Sequence, residues 1–126
     1  MRALVLLVDD EVDQVEMYRL GLEAAAFRVI AAHTGADAVV RARDHQPHAI
    51  VLDLRLPDMT GWEVCSLLKN DPQTERIPIV ILTAAVEPSL AEQAAAAGCV
   101  THLLKPCFPD DLSRTLREIL ALHPQA

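Results

Sequence analysis

The chain has 126 residues, 52% of them hydrophobic and only 3% aromatic, which is enough for one domain with an aliphatic core. That hydrophobic content excludes a disordered chain, and a net charge of −7 without a run of lysine and arginine argues against direct binding of nucleic acid. The N-terminal apolar run meets acidic residues after a few positions, so it is too short for a membrane span or a signal sequence.

Five short apolar runs alternate with segments of helical periodicity from one end of the chain to the other. The predicted strands cover residues 3–8, 27–32, 49–52, 78–82 and 100–104. The predicted helices cover residues 11–26, 34–45, 61–69, 89–97 and a last segment that begins at Pro109. Because the connections are short, this alternation predicts a parallel sheet with helices on both faces. Five units are too few for a closed eight-unit barrel, so residues 1–126 are expected to form one open, doubly wound domain.

Local signals support several of these elements. Thr34 is a suitable N-cap for the second helix, and Gly98 and Pro109 suit the end of the fourth helix and the first turn of the fifth. Gly21 lies inside the first helix, which indicates close packing there. Helical periodicity also predicts which residues face inward. In the first helix these are Met17, Tyr18, Gly21, Leu22 and Ala25. In the third helix they are Val64, Leu67 and Leu68, and in the fifth helix Leu112, Leu116, Ile119 and Leu120.

The three cysteines form neither a CxxC pair nor a metal-binding pattern. An odd number of cysteines without a signal peptide is typical of a reducing compartment, so we expect a cytoplasmic protein. Cys65, Cys99 and Cys107 are interpreted as small apolar side chains.

Polar residues follow four of the predicted strands, at the edge of the sheet where open α/β folds place their sites. These residues are Asp9, Asp10, Asp53, Thr83 and Lys105. Three carboxylates in one place repel one another, and a divalent cation relieves the repulsion. Oxygen ligands suit Mg²⁺, whereas Zn²⁺ would require clustered histidine or cysteine.

The same residues suit the transfer of a phosphoryl group. A carboxylate such as Asp53 can attack phosphorus if the charge of the incoming group is neutralised. Mg²⁺, the Lys105 ammonium and the Thr83 hydroxyl are the groups expected to neutralise it. A cis bond between Lys105 and Pro106 would fix the turn that aims the lysine.

With these residues in place, the chain resembles the receiver domain of two-component response regulators from Leu4 to about Leu120. The resemblance depends on four segments in order, each at a predicted strand end. They are Val8-Asp9-Asp10-Glu11, Asp53-Leu54-Arg55-Leu56-Pro57-Asp58-Met59-Thr60-Gly61, Leu82-Thr83-Ala84 and Lys105-Pro106.

The resemblance implies a flavodoxin-like sheet of order 2-1-3-4-5 and a role for each site residue. A histidine kinase or phosphotransfer protein supplies the phosphoryl group from a phosphohistidine, and Asp53 accepts it. Mg²⁺ is bound by Asp53, the backbone carbonyl of Arg55 and the acidic pair, with Asp10 in direct contact and Asp9 through water. Thr83 is the switch hydroxyl, and Lys105 pairs with the phosphoryl group. Such a domain is regulatory and catalyses only its own phosphorylation and dephosphorylation.

The family signals through the fourth helix, fifth strand and fifth helix, and this chain departs from it in that region. His102 replaces the usual aromatic switch residue, and Cys107 replaces the usual phenylalanine after Lys-Pro. His102 is interpreted either as an ordinary strand residue or as a polar substitute for the switch ring. Arg55 and Ala85 flank the site and are expected to tune dephosphorylation.

Three functions are compared. The first is a phosphorylated receiver, and the second is a receiver-like interaction module that is not phosphorylated. The third, a phosphoaspartyl hydrolase, is disfavoured because Arg55 stands where the haloacid-dehalogenase-like pattern requires a second aspartate. The sequence stops shortly after the fifth helix, so we expect no output domain within it. The partner is then a downstream protein, if the receiver stands alone, or an output domain of a longer regulator or hybrid kinase.

Overall fold

The computed structural model describes residues 2–84 and 87–122, and it confirms the predicted alternation of strands and helices. The strands are β1 (Leu4–Val8), β2 (Arg28–Ala32), β3 (Ala49–Leu52), β4 (Ile79–Thr83) and β5 (Thr101–Leu104). The helices are α1 (Val12–Ala24), α2 (Gly35–His45), α3 (Gly61–Lys69), α4 (Leu90–Ala96) and α5 (Pro109–Leu122). Within the described part of the chain, no helix is both long and apolar enough to cross a membrane.

The five strands form one parallel sheet in the order β2-β1-β3-β4-β5, as predicted. Strands β1, β3 and β4 are buried along their whole length, which explains their uninterrupted apolar sequences. Because all strands run in the same direction, their carboxyl ends meet at one edge of the sheet. This edge lies beside the point where the strand order reverses, which is the usual place for a ligand site in such folds.

The sheet separates two aliphatic cores. Leu6 and Val8 of β1 pack with residues of α2, α3 and α4, whereas the alternate residues Val5 and Leu7 pack with α1 and α5. This division follows from the alternation of side chains along an extended strand. Each face of the sheet is therefore covered by its own group of helices.

The predicted capping signals are confirmed. The Thr34 hydroxyl accepts a hydrogen bond from the Asp37 amide at 3.1 Å at the start of α2. Gly98 follows α4 with a φ of +83°, a conformation that glycine adopts at little cost. A Cβ atom at Gly21 would lie 2.2 Å from Cβ of Pro109, so α1 and α5 do approach closely there.

Two residues were wrongly assigned to inner helix faces: Met17 is 45% exposed and Leu67 is 49% exposed. In α1 the buried stripe is set by Val15, Tyr18 and Leu22, and Met17 lies about 130° around the helix from its centre. In α3 the stripe runs through Val64, Cys65 and Leu68, and Leu67 lies about 110° from its centre. Apolar residues of both helices therefore extend beyond the face that is buried.

Candidate functional site

Three charged side chains meet at the carboxyl ends of β1, β3 and β5. Lys105 Nζ lies 2.6 Å from Asp9 Oδ2 and 3.0 Å from Asp53 Oδ2. The Lys105 side chain is 9% exposed, and the side chains of Asp9 and Asp53 are 10% and 11% exposed. Buried charges are costly unless they are paired, so the ammonium is what makes two neighbouring buried carboxylates tolerable.

Backbone hydrogen bonds continue for one residue beyond the ends of β1, β3 and β5, and they hold these three residues in place. The amide of Asp9 donates to the carbonyl of Ala32 at 3.1 Å, and the amide of Asp53 donates to Val8 at 3.0 Å. The amide of Lys105 donates to the carbonyl of Thr83 at 2.9 Å, and the bond from Lys105 to the following proline is cis. All three backbone segments are thus fixed to neighbouring strands.

Each carboxylate uses its second oxygen for a local backbone contact. Asp9 Oδ1 accepts a hydrogen bond from the Glu11 amide at 2.9 Å, and Asp53 Oδ1 accepts one from the Arg55 amide at 3.2 Å. Each aspartate is therefore held on one side by the lysine and on the other by its own chain. This arrangement fixes the orientation of both carboxylates before any ligand arrives.

Two opposing effects act on the protonation of Lys105. Burial alone would lower the pKa of its ammonium group. The hydrogen bonds to Asp9 and Asp53, together with the charges of both, outweigh burial, so the pKa of Lys105 is raised above its usual value. Lys105 is therefore a permanent cation at neutral pH.

The other residues predicted for the site lie around this cluster. Thr83 is completely buried at the end of β4, whereas Asp10 and Arg55 are exposed beside Asp9 and Asp53. His102 is half-buried in β5, where its register partner in β4 is Ile81. Ala85 lies outside the described residues.

The site offers oxygen atoms that a metal ion could bind. Among residues 2–84 and 87–122, no group of three histidine, cysteine or acidic residues is arranged to hold one. The structure does bring together the carboxylates of Asp9 and Asp53. Mg²⁺ prefers such oxygen ligands, keeps several water molecules and needs few ligands from the protein. The residues present therefore fit magnesium.

Sequence reasoning missed the role of Tyr18, which lies beneath the site. Its hydroxyl donates a hydrogen bond to the carbonyl of Cys107 at 2.8 Å, and the residue is only 3% exposed. The ring shares a small cavity of about 10 Å³ with Asp9 and Asp53. Burial raises the pKa of the Tyr18 hydroxyl, which stays a donor. A tyrosine on a buried helix face needs a partner for its hydroxyl, so the position of Tyr18 in the sequence already indicated a buried hydrogen bond.

Replacing Tyr18 by phenylalanine is expected to lower the free energy of unfolding by about 1 kcal/mol, because the Cys107 carbonyl loses its donor while the ring is kept. Urea denaturation of the parent and Tyr18→Phe measures the difference. A variant as stable as the parent would show that the hydroxyl does not fasten α1 to the segment after Lys105.

Asp58 was also missed as a structural residue. Its two carboxylate oxygens accept hydrogen bonds from the amides of Gly35 at 2.8 Å and Ala36 at 2.9 Å, at the start of α2. These bonds lower the pKa of Asp58, which is the expected effect of a helix N-terminus on a carboxylate. Asp58 therefore ties the loop after β3 to α2.

The comparisons with known proteins agree with the fold. The family model of the response regulator receiver domain matches residues 5–117. The polar-differentiation response regulator DivK of Brucella ovis is 29% identical over 116 residues, which are 92% of this chain and 94% of that protein.

Two solved structures superimpose closely on this chain. The chemotaxis response regulator CheY4 of Vibrio cholerae has a TM-score of 0.88 and 31% identity, covering 95% of this chain and 100% of that chain. The receiver domain of a signal transduction histidine kinase from Syntrophus aciditrophicus has a TM-score of 0.88 and 25% identity, covering 98% and 94%. With a family model that matches most of its length, the chain belongs to the response regulator receiver domain family, the regulatory domains of two-component signalling.

Proposed function

We propose that Asp53 accepts a phosphoryl group from a phosphohistidine of a histidine kinase or phosphotransfer protein. The added charge then switches the face formed by α4, β5 and α5, which contacts a downstream protein or an output domain. The observation that carries this proposal is the Lys105 ammonium bridging Asp9 and Asp53 at the strand ends. The role is regulatory, since the chain catalyses only its own phosphorylation and dephosphorylation. A donor of this class places the chain in the cytoplasm.

The contacts of Asp53 suit a nucleophile. In the proposed step a carboxylate oxygen of Asp53 attacks phosphorus, the phosphorus–nitrogen bond of the phosphohistidine breaks, and the imidazole leaves with the bonding electrons. The amide of Arg55 and the ammonium of Lys105 hold the two oxygens of Asp53 in place before the attack. Lys105 then contacts an oxygen of the transferred group while it keeps its pair with Asp9.

The charge balance of the site supports a metal requirement. Lys105 compensates one negative charge, but Asp9 and Asp53 carry two, so the site is still negative when an anionic phosphoryl group approaches. The carboxylates of Asp9, Asp10 and Asp53 and the carbonyl of Arg55 are the groups proposed to hold Mg²⁺. When bound, the ion supplies the positive charge that the phosphoryl oxygens need.

The proposed switch runs from Thr83 to the face that contains α4. The Thr83 hydroxyl is proposed to move toward the phosphoryl group, and His102 occupies the position in β5 where the family usually has its switch ring. Helix α4 buries only Leu90 and Ala94, so little apolar area holds it against the sheet. A weakly held helix next to the site is a suitable element to shift.

Phosphorylation can be tested with Mg²⁺ and acetyl phosphate, followed by an intact mass measurement. We expect the parent to gain one phosphoryl group, and we expect no gain without Mg²⁺ or in Asp53→Asn. Asp58→Asn is the matched control. It removes a carboxylate from the loop that follows β3, and this carboxylate binds the start of α2 and takes no part in the proposed chemistry. It is expected to be phosphorylated like the parent.

The outcomes separate the two remaining functions. No mass gain in a folded parent, at any Mg²⁺ concentration, would contradict the proposal and favour an interaction module that is not phosphorylated. The same sample tests the switch, since the amide resonances of Thr83 and His102 are expected to shift on phosphorylation. A phosphorylated chain in which both resonances stay unchanged would exclude these two residues from the switch.

A further inference from the structure

Two thiols touch each other in the core, on the side of the sheet covered by α2, α3 and α4. Cys65 Sγ and Cys99 Sγ are 3.4 Å apart, although the residues are separated by 34 positions in the chain. Cys65 lies in α3 with no exposed surface, and Cys99, between α4 and β5, is 9% exposed. The third cysteine, Cys107, packs against the core on the opposite side of the sheet. The pair is therefore isolated from the remaining thiol.

We propose that Cys65 and Cys99 are an oxidisable pair, and that a hydroperoxide converts them to a disulfide that links α3 to the segment between α4 and β5. The sulfur atoms already make a direct contact, and a bond requires them to approach by about 1.4 Å. Rotation about the side-chain bonds supplies a movement of this size. The pairing arises from the fold, since sequence spacing gave no sign of it.

The environment distinguishes the two sulfurs. The hydrogen bond between the two thiols lowers the pKa of Cys99; burial opposes this effect, and the charge of Lys69 adds to it. The same hydrogen bond, together with burial, raises the pKa of Cys65. The stem of Lys69 lies beside Gly98, the residue before Cys99, with Cε 3.7 Å from the position of a Cβ atom there. Cys99 has the larger exposed fraction of the two cysteines, and we assign the first reaction with the peroxide to it.

The oxidation balances with one hydrogen peroxide. The Cys99 thiolate attacks the peroxide, its O–O bond breaks, and Cys99 becomes a sulfenic acid while the other oxygen leaves as water after protonation. The Cys65 sulfur then attacks the Cys99 sulfur and displaces the hydroxyl group, which takes up the Cys65 proton and leaves as a second water. Two thiols are oxidised by two electrons, and the peroxide is reduced.

The disulfide would tether a weakly held helix to a firmly held one. Helix α3 buries Gly61, Val64, Cys65 and Leu68, whereas α4 buries only Leu90 and Ala94. A bond at Cys99 fixes the chain three residues after the end of α4. Its effect on signalling rests on the proposed function, in which α4 belongs to the output face, but the formation of the disulfide does not.

The test uses the full chain, reduced and then treated with hydrogen peroxide, denatured and alkylated with N-ethylmaleimide. The reduced chain carries three cysteines and takes three labels. The expected product takes one label and has lost two hydrogen atoms. Trypsin leaves Cys99 and Cys107 on one peptide because Pro106 follows Lys105, so the link is mapped in Cys107→Ser. In that variant the peptide with Cys65 is expected to be joined to the peptide with Cys99.

Several outcomes would overturn the proposal. One is a parent in which Cys65 and Cys99 both keep their labels at peroxide doses that oxidise Cys107, and another is a disulfide that contains Cys107. Cys65→Ala and Cys99→Ala are each expected to lose the intramolecular disulfide, and a link that persists in either would assign it to other residues. Asp53→Asn is expected to form the disulfide like the parent, which separates this test from the test of phosphorylation.

The restraint that the disulfide places on α4 can be measured separately. Hydrogen exchange of the α4 amides is expected to be several-fold slower in the oxidised chain than in the reduced chain, while exchange in β1 changes little. Equal exchange in α4 before and after oxidation would show that the bond forms without restraining the helix, and this part of the proposal would be wrong.

Discussion

Replacing Lys105 by methionine is expected to lower the free energy of unfolding by about 3 kcal/mol at neutral pH. Methionine keeps most of the apolar stem but removes the ammonium that contacts Asp9 at 2.6 Å and Asp53 at 3.0 Å. The variant leaves two like charges next to each other, with side chains only 10% and 11% exposed. Urea denaturation of parent and variant measures the loss.

Asp53→Asn is the informative control for Lys105→Met. It keeps the shape of the side chain and leaves the pair between Lys105 and Asp9 intact, so its cost should be smaller than that of Lys105→Met. The double variant has one unpaired carboxylate instead of two, so it should be more stable than Lys105→Met alone. A Lys105→Met variant no less stable than Asp53→Asn would show that solvent, and not the ammonium, compensates the carboxylates.

The contribution of Lys105 also has a defined pH dependence. Its pKa is higher in the folded chain than in the unfolded chain, so its stabilising effect is complete below the unfolded value of about 10.4. The effect is lost as the pH rises through the folded pKa. The difference in stability between parent and Lys105→Met should therefore be constant from pH 7 to about pH 10 and shrink above it. A difference that does not change up to pH 12 would contradict this assignment.

The core of the site could be predicted because its members follow strands in the sequence. Asp9, Asp53 and Lys105 each come directly after an apolar run, and parallel strands bring such positions to one edge. The resemblance implies a direct metal contact for Asp10 and one through water for Asp9; in the structure Asp9 is 7% exposed and Asp10 lies at the surface. Asp9 is held inside by the Lys105 ammonium and the Glu11 amide, and sequence spacing does not reveal these partners.

Contacts between distant residues could not be predicted in this way. The hydroxyl of Tyr18 bonds to a residue 89 positions away, and Cys65 meets a thiol 34 positions away. Asp58 binds the start of a helix that precedes it by 23 positions. Periodicity shows which face of a helix is apolar, but the partner of a polar group depends on how packed elements are rotated and shifted. The exposed Met17 shows the same limit, because the apolar face of α1 is wider than the buried one.

Gly61→Ala is expected to destabilise the chain by about 3 kcal/mol, since it places a methyl group against the backbone of Asp53 and Leu54. A Cβ atom at Gly61 would lie 2.6 Å from the carbonyl oxygen of Asp53 and 2.8 Å from Cα of Leu54. Neither contact can be relieved by rotating a side chain. Moving α3 away would also stretch the 2.8 Å hydrogen bond from the Gly61 amide to the Leu54 carbonyl.

Gly98→Ala separates this steric cost from the general cost of losing a glycine. Gly98 has a φ of +83°, but the nearest neighbour of an added Cβ atom is Cε of Lys69 at 3.7 Å, an ordinary contact. The backbone conformation alone should therefore cost about 1 kcal/mol. Urea denaturation of both variants gives the two costs, and the amide resonance of Asp53 should shift in Gly61→Ala only. Equal costs would mean that α3 moves without resistance, and the close approach of its first turn would then not be what positions Asp53.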